Sequence, residues 1–243
     1  MNLQLAGLHA VVTGGSSGIG AAIVHAFAAE GCKVSFCARR QDKIDATLHG
    51  CAGLPGAVQA RTVDVTHEAD FKAWLEALGT FDIFIANVSA LSGAWEDALQ
   101  TDIRATVSAT EAALPFLLQS HHGALTYIGS KAGSLAAPES AAYGAAKAAM
   151  AHYMKSLSVR LLPTVRVNTV SPGDTLVPEG FWDRVRQCDP ERFEAARQRN
   201  PMQRFAAAEE IARVVAFVSS PVASFVAGAN WYVDGGSTSH VQF

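Results

Sequence analysis

The sequence predicts an α/β fold in which a doubly wound parallel sheet is covered by helices on both faces. Short segments such as "HAVVTG" (9–14) and "KVSFCAR" (33–39) are apolar on both faces, as strands of a buried parallel sheet are. Segments with helical spacing alternate with them, beginning with 18–30. Right-handed crossovers then build the doubly wound arrangement, in which ligands bind at the carboxyl ends of the strands.

Each element follows from the same alternation along the chain. Turn residues bound the strands, and apolar residues recur at helical spacing between them. The seven expected strands cover 9–14, 33–39, 58–65, 81–88, 123–130, 165–172 and 230–236. The expected helices cover 18–30, 41–51, 67–78, 96–119, 140–161 and 208–218.

Composition limits the domain count and the classes of partner. The chain has 243 residues, of which 49% are hydrophobic, and no linker or repeat divides it, so we expect one domain over 1–243. A net charge of −3 and the lack of a basic block argue against a nucleic-acid partner. Because the eight histidines are scattered, we expect no metal site.

Cysteine usage and the N-terminal segment indicate a cytoplasmic protein without a membrane partner. The four cysteines form no C-x-x-C pair, so we expect reduced thiols. The first residues lack the basic region and cleavage site of a signal peptide. The uncharged segment 214–233 has the length of a membrane span, but Pro221 and Gly228 interrupt it. A helix, a turn and a strand explain this segment better.

The loop after the first expected strand is rich in glycine. In "TGGSSGIG" (13–20) the glycines permit a tight turn and a close approach to a pyrophosphate, and the following helix N-terminus favours negative charge. The loop therefore predicts a dinucleotide site, although such turns can also be purely structural. The candidate cofactor-binding residues here are Gly14, Ser16, Ser17, Gly18, Ile19 and Gly20.

The end of the second expected strand favours NADP(H) over NAD(H). A cofactor with a free ribose 2′-hydroxyl calls for an acidic residue at this position, but Ala38 stands there and Arg39 and Arg40 follow. Guanidinium groups match a 2′-phosphate. The alternative is that both arginines are solvated residues that open a helix.

A tyrosine and a lysine lie four residues apart in "SAAYGAAKAAM" (140–150). Tyr143 and Lys147 therefore share one face of a helix. Taken alone, such a pair is typical of an ordinary helix surface. The residues around it decide between that interpretation and an acid–base pair.

Motifs along the whole chain stand in the order seen in one family, with Ser130 thirteen residues before Tyr143. In this order and spacing the chain resembles the short-chain dehydrogenase/reductase family from end to end. The motifs that carry the resemblance are "TGGSSGIG" (13–20), "DV" (64–65), Asn87, "GS" (129–130), "YGAAK" (143–147), "VRVNTVSPG" (165–173) and "VDGG" (233–236).

The resemblance implies a Rossmann-type domain, usually a tetramer, that transfers a hydride between a nicotinamide cofactor and an alcohol or carbonyl. It also implies a substrate lid at about 175–200. Carried over by position, Ser130, Tyr143 and Lys147 are catalytic, and Tyr143 and Lys147 also contact the cofactor. The remaining implied cofactor contacts are Asp64 and Val65 at the adenine, Asn87 at the adenosine ribose, and Pro172, Gly173 and Thr175 on the nicotinamide side.

The chemistry explains why these residue types recur together. A phenol has an ordinary pKa of about 10 and exchanges protons poorly at pH 7. A lysine ammonium one helical turn away is expected to stabilise the phenolate and to lower the pKa of Tyr143. Ser130, at the end of the neighbouring strand, can hold the substrate oxygen against the tyrosine.

Three positions depart from the family pattern. Asp102 stands where an asparagine usually supports a water chain from the lysine, so we include Asp102 among the candidate catalytic residues. It can hold the same water or pair with Lys147, or it can simply cap a helix or face solvent. Ser89 replaces a glycine in "ANVS" (86–89). Val177 stands where a threonine often follows the proline–glycine turn, and Thr175 could serve in place of that threonine.

The main expectation is an NADP(H)-dependent oxidoreductase for a small to medium alcohol or carbonyl, assembled as a homotetramer or homodimer. Five arginines in 175–200 could recognise an acidic substrate or carrier, but interleaved acidic residues favour a solvated helix face. Two rival functions remain, a 3-oxoacyl-[acyl-carrier-protein] reductase and a non-catalytic NADP(H)-binding sensor.

Phe181 and Trp182 could form an apolar wall of the lid.

Overall fold

Seven parallel strands form the central sheet of the computed structural model, which describes residues 1–241. The strands are β1 (His9–Thr13), β2 (Lys33–Ala38), β3 (Val58–Thr62), β4 (Ile83–Ala86), β5 (Ala124–Ile128), β6 (Arg166–Pro172), β7 (Thr175–Leu176), β8 (Ala206–Ala207) and β9 (Asn230–Val233). The sheet order is β3-β2-β1-β4-β5-β6-β9, while β7 and β8 pair separately. The predicted doubly wound sheet is confirmed, and its order reverses between β1 and β4.

Helices cover both faces of this sheet. They are α1 (Gly18–Ala29), α2 (Gln41–Gly50), α3 (Glu68–Leu78), α4 (Trp95–Asp97), α5 (Thr106–Leu117), α6 (Ala141–Leu161), α7 (Phe181–Cys188), α8 (Pro190–Arg199) and α9 (Ala208–Ser219). A π-helical segment, Ala98–Ala105, joins α4 to α5. The helix predicted over 96–119 is therefore continuous, but its first half winds more widely than an α-helix.

Two apolar cores lie on opposite faces of the sheet. One packs α3, α5 and α6 on the strands, with Phe71, Trp74 and Leu157 among its buried side chains. The other packs α1 and α9, with Phe27 and Ile211. Because both faces are covered, β1, β4 and β5 are buried at every residue, as their continuous apolar sequences predict.

The uncharged segment 214–233 divides as the sequence predicts. Helix α9 ends at Ser219, a short 3-10 turn covers Pro221–Ala223, and β9 begins at Asn230. Within residues 1–241, none of the helices is both long enough and apolar enough to cross a bilayer.

Two further features of the fold differ from the sequence prediction. Most strands end earlier than predicted, and β3 stops at Thr62 rather than at residue 65. The residues beyond the strand ends bend into the loops at the carboxyl edge of the sheet. The strand pair β7–β8 was not predicted, because two-residue strands carry too few residues to show an alternating pattern.

Candidate active site

The sheet order brings the predicted site residues to one edge. Strands β1, β4, β5 and β6 are adjacent and parallel, so the loops that follow them meet at their carboxyl ends. These loops contain the glycine loop, Asn87, Ser130 and the Pro172–Gly173 turn. The site therefore lies at the switch point of the sheet, where doubly wound folds bind their ligands.

The glycine loop is shaped by two close approaches. Gly14 has a positive φ of 67°. A Cβ atom added to Gly20 would lie 2.2 Å from the Gly14 carbonyl oxygen and 2.6 Å from Asn87 Nδ2. Only glycine allows α1 to begin this close to β1.

The N-terminus of α1 fits a phosphate group. Ser17, the N-cap residue, is extended, and within the described chain its side chain makes no capping hydrogen bond to the helix. The first turn, which includes Ile19, holds no acidic residue among those described. Ser16 precedes this turn, and Gly18 opens the helix with a positive φ of 53°. The first backbone N–H groups of α1 are therefore available to an anion.

Asn87 fastens the glycine loop to the end of β4. Its Nδ2 group donates to the Thr13 carbonyl at 2.9 Å and to the Gly14 carbonyl at 3.2 Å. Its backbone N–H donates to Thr13 Oγ1 at 3.0 Å. This residue therefore fixes the shape of the loop through its amide donors.

The predicted adenosine side carries two exposed cations. Arg39 and Arg40 are exposed just before α2, and neither forms an ion pair with any residue in the described range 1–241. Asp64 accepts hydrogen bonds from Thr66 N at 2.9 Å and Thr66 Oγ1 at 2.8 Å. Burial raises the pKa of Asp64, but these bonds and the attraction to Arg39 outweigh it and lower the pKa overall. The following residue, Val65, is buried.

Lys147 lies in a buried, polar site. Its Nζ atom donates to the Ile128 carbonyl at 3.0 Å and lies 3.8 Å from Asp102 Oδ1. The side chains of Lys147 and Asp102 are only 3% and 1% exposed. Burial lowers the pKa of Lys147 to about 8, and the Asp102 carboxylate opposes that shift.

Tyr143 and Ser130 meet beside this lysine. The ring centre of Tyr143 lies 5.5 Å from Lys147 Nζ. Burial raises the pKa of Tyr143 to about 12, while its interaction with the Ser130 hydroxyl lowers it and the Asp102 charge raises it. The predicted lowering of this pKa is therefore wrong for the chain by itself. Desolvation of the phenolate outweighs any benefit from an ammonium that is already held by Ile128 and Asp102.

Asp102 neither caps a helix nor faces solvent. It lies in the π-helical segment Ala98–Ala105, where Ser89 Oγ donates a short hydrogen bond to Oδ1 and Ala90 N–H donates to Oδ2 at 3.3 Å. Two departures from the family pattern, Ser89 and Asp102, therefore bond directly to each other. The alternative in which Asp102 pairs with Lys147 describes the structure.

Sequence reasoning missed Tyr127. This β5 residue is fully buried, and its ring centre lies 5.0 Å from Lys147 Nζ, so the ammonium lies near two tyrosine rings. Its hydroxyl has no hydrogen-bond partner among the described residues. Burial raises the pKa of Tyr127 well above its usual value. A phenol inside the apolar strand "ALTYI" was the available signal.

The segment after β6 reaches the glycine loop. A Cβ atom on Gly173 would lie 2.6 Å from Asp234 Cα, so the chain must pass close to β9 here. The Thr175 hydroxyl donates to the Gly173 carbonyl at 3.1 Å. Val177 Cγ2 lies 3.6 Å from the Cβ position of Gly18. The segment that follows the Pro172–Gly173 turn therefore contacts the glycine loop through Val177.

The aromatic side chains of 175–200 form a cluster, as the predicted apolar wall requires. Trp182 packs on Phe181 with ring centres 5.1 Å apart and on Phe205 at 4.9 Å, and Phe205 packs on Phe193 at 4.7 Å.

Arginines of the same segment pair mostly with carboxylates. Three of them form ion pairs at 2.6 Å, in agreement with the predicted solvated helix face. These pairs are Arg186–Asp183, Arg192–Glu139 and Arg197–Glu194.

Comparisons with known proteins agree with this geometry. A family model described as enoyl-(acyl carrier protein) reductase matches residues 14–238. Isoepoxydon dehydrogenase patN of Penicillium expansum is 34% identical over 98% of each chain. The structure of the RhlG/NADP active-site complex from Pseudomonas aeruginosa superposes with a TM-score of 0.89 at 30% identity, over 98% of each chain.

A second solved structure extends the likeness to a sugar reductase. L-Sorbose reductase from Gluconobacter frateurii, complexed with NADPH and L-sorbose, has a TM-score of 0.90 at 26% identity. The match covers 99% of this chain and 100% of that chain. With the family match over nearly the whole sequence, the motif order and the sheet topology, these likenesses lead to one conclusion: the chain belongs to the short-chain dehydrogenase/reductase family.

Proposed function

We propose that the protein is an NADP(H)-dependent oxidoreductase that transfers a hydride between NADP(H) and a small to medium alcohol or carbonyl compound. One observation carries the proposal. Ser130, Tyr143 and Lys147 meet at the carboxyl edge of the sheet, on the same edge as the open N-terminus of α1. An anion site and an acid–base group side by side are what a nicotinamide-dependent reaction needs.

Tyr143 is the proton donor in carbonyl reduction. Because burial raises the pKa of Tyr143 to about 12, its hydroxyl is protonated at pH 7 and ready to donate to the developing alkoxide. Ser130 Oγ positions the same oxygen by a hydrogen bond. When bound, NADPH supplies the hydride.

Lys147 balances the charge that proton donation leaves on Tyr143. The ammonium is held by the Ile128 carbonyl and the Asp102 carboxylate, and it lies one helical turn from the tyrosine. Asp102 is therefore a positioning residue that keeps Lys147 charged. The proposed catalytic residues are thus Ser130, Tyr143 and Lys147, and Asp102 acts on the reaction through Lys147.

The cofactor is NADP(H) rather than NAD(H). The exposed Arg39 and Arg40 suit a 2′-phosphate, and RhlG and L-sorbose reductase were solved with NADP and NADPH. Tyr143 and Lys147 contact the nicotinamide side together with the Pro172–Gly173 turn and Thr175. The adenosine side is held by Asp64, Val65 and Asn87, and the pyrophosphate by Gly14, Ser16, Ser17, Gly18, Ile19 and Gly20.

The chain acts as one cytoplasmic catalytic domain whose residues 175–200 form the substrate lid. Its partners are a small-molecule substrate and further copies of itself, as a homotetramer or homodimer. The resemblance to a family whose members are usually tetramers supports self-association. Light scattering of the purified protein measures this state, and a monomer at micromolar concentration contradicts it.

A reductase of 3-oxoacyl groups on an acyl carrier protein is the second candidate. The matching family model names an acyl carrier protein, and the lid contains five arginines. Three of these arginines already pair with carboxylates, which leaves less free charge for an acidic carrier. Turnover of a carrier-bound 3-oxoacyl group in preference to the free ketone would favour this candidate.

An NADPH-oxidation screen tests the main proposal. Ketones, 3-oxoacyl thioesters and sugars are assayed with NADPH and again with NADH. We expect turnover of at least one carbonyl class with NADPH preferred. Replacing Arg39 and Arg40 by alanine should raise the KM for NADPH about tenfold or more and leave the KM for NADH nearly unchanged. Equal or better use of NADH by the unmodified enzyme contradicts the cofactor assignment.

A further inference from the structure

Asp174 connects three separate segments around the site. It follows the Pro172–Gly173 turn directly. Its Oδ2 atom accepts a hydrogen bond from Lys131 Nζ at 2.5 Å, and its Oδ1 atom accepts one from Trp182 Nε1 at 3.2 Å. Lys131 is the residue after Ser130, and Trp182 lies in the first turn of α7.

The pair between Lys131 and Asp174 is shielded from solvent. Both side chains are 22% exposed, whereas the lid pairs Arg192–Glu139 and Lys43–Glu179 each contain a well exposed partner. A short, charge-assisted hydrogen bond in a partly buried position is screened little by salt. This pair is therefore a firmer link than the pairs on the lid surface.

Each end of this link is itself fixed. Trp182 packs against Phe205, which holds α7 to the strand that precedes α9. At the other end, Ser130 Oγ accepts a hydrogen bond from Ala132 N at 3.1 Å, which fixes the serine loop (129–134). A movement of α7 must therefore move Asp174 and pull on the residue next to Ser130.

We infer that Asp174 is a positioning residue that couples the placement of the lid to the placement of Ser130. The inference deepens the proposed function and rests on it, because substrate would lie between Ser130 and the lid. When the lid closes over a substrate, the Lys131–Asp174–Trp182 link sets the distance between Trp182 and the serine hydroxyl. It acts on substrate recognition, because it joins the serine loop to α7, whereas the proposed pyrophosphate and adenosine contacts lie on other loops.

Substitution of Asp174 by asparagine tests the coupling. Asp174→Asn keeps an oxygen for Trp182 but removes the charge that holds Lys131. We expect KM for the carbonyl substrate to rise about tenfold, while kcat changes less than about threefold. Backbone amides of α7 should exchange with deuterium about tenfold faster, since the link no longer restrains them.

Two further variants show whether the two residues act together. Lys131→Met should reproduce these changes, and the double variant should be no worse than either single one. Lys131→Arg keeps the cation and should restore substrate KM to near the wild-type value. Arg160→Met is the control, because it breaks an ion pair at 3.0 Å to Glu111 that lies between α6 and α5, outside the lid. It should leave both readouts unchanged.

The exchange measurement separates this inference from the proposed function. Unchanged exchange of α7 in Asp174→Asn overturns the coupling, whatever the activity. Faster exchange with an unchanged substrate KM also overturns it, because Asp174 is then merely structural. Faster exchange in an enzyme that reduces no carbonyl supports the link between lid and serine loop and overturns the proposed reaction instead.

Discussion

A buried ammonium needs nearby negative groups to stay charged, and at Lys147 one carboxylate and one carbonyl supply them. Asp102 lies 3.8 Å from Lys147 Nζ, and the Ile128 carbonyl accepts its hydrogen bond at 3.0 Å. The Ser89 hydroxyl in turn donates to Asp102. The family pattern has a glycine at position 89 and an asparagine at position 102. This chain therefore holds its lysine by a charge where a neutral amide is usual.

Replacing Asp102 by asparagine should shift the pH dependence of carbonyl reduction. Lys147 is an ammonium below its pKa of about 8 and loses its charge as the pH rises through that value. Asp102 raises this pKa, so its removal lowers it. We expect the alkaline limb of kcat/KM to move about one pH unit toward lower pH.

The matched control for this shift is Asp70→Asn. Asp70 is exposed on α3, so the substitution changes the net charge by the same amount far from Lys147. Its pH profile should coincide with that of the unmodified enzyme. A profile for Asp102→Asn that also coincides would remove Asp102 from the acid–base group.

At the scale of single residues, the sequence was most informative where spacing alone sets the geometry. Ser130, Tyr143 and Lys147 come together as their order predicts. The orientation of Asp102 depended on how the π-helical segment packs against α6, which no spacing reveals. Tyr127 was missed because a buried strand is recognised by its apolar residues, and one phenol among them does not alter the pattern.

The close contact between α1 and β1 shapes the glycine loop, where the cofactor is proposed to bind. Gly20 in the first turn of α1 faces the carbonyl of Gly14, and Asn87 fills the remaining space. The N–H groups of this turn point toward the edge of the sheet only because the helix begins so close to the strand. Loss of that approach should therefore affect folding and cofactor binding together.

Gly20→Ala tests this contact against Gly50→Ala. The added methyl group at residue 20 would lie 2.2 Å from a backbone oxygen, so α1 must shift. We expect a loss of about 3 kcal/mol in the free energy of unfolding and at least tenfold weaker NADPH binding. At Gly50, the last residue of α2, none of the described atoms beyond its own helix backbone and chain neighbours lies within 4 Å of the added Cβ. Alanine should therefore be neutral or stabilising by about 0.5–1 kcal/mol. Urea unfolding measures both, and equal stabilities of the two variants would contradict the close approach.

The existence of each helix and strand was easier to predict than the type of helical winding. All seven strands of the main sheet and the six predicted helical segments lie close to where the alternation of periods places them, whereas the bounds of α7 and α8 were not predicted. The π-helical turn was not predicted, because apolar residues in one or two turns fit both windings. The start of helix α8 carries recognisable sequence signals. Asp189 caps the helix by accepting a hydrogen bond from Arg192 N at 3.0 Å, and Pro190 is its first residue.

Three of the four cysteines are buried, and only Cys188 is exposed to reagents. All four are free thiols, and Cys32, Cys37 and Cys51 are buried. Burial raises the pKa of both Cys32 and Cys37 to about 12, so neither forms a thiolate at neutral pH. Cys188, at the end of α7, is exposed.

Titration with a thiol reagent should therefore find one fast-reacting cysteine per native chain. Unfolding in guanidinium should raise the count to the four that the sequence contains. Cys188→Ser should abolish the fast phase and leave the total one lower. Two or more fast thiols in the native protein would show that the cores open more readily than their packing implies.

The fold class of the whole molecule could be predicted from strands that are apolar on both faces and therefore buried. Strands that are apolar on both faces need helices on both sides, and two separate cores supply them. The lid was harder to foresee in detail, because its helices are rich in charge and its aromatic side chains find partners far along the chain. Phe205, which packs on Trp182 and Phe193, lies outside the segment 175–200.

In the proposed reaction, Tyr143 donates the proton in an NADPH-dependent carbonyl reduction. The most direct test measures NADPH binding and carbonyl turnover by Tyr143→Phe, which removes one hydroxyl and keeps the ring. We predict that NADPH still binds within about tenfold of its original affinity, while kcat falls by about a thousandfold. Turnover within tenfold of the unmodified enzyme, with NADPH bound, would show that Tyr143 is not the proton donor.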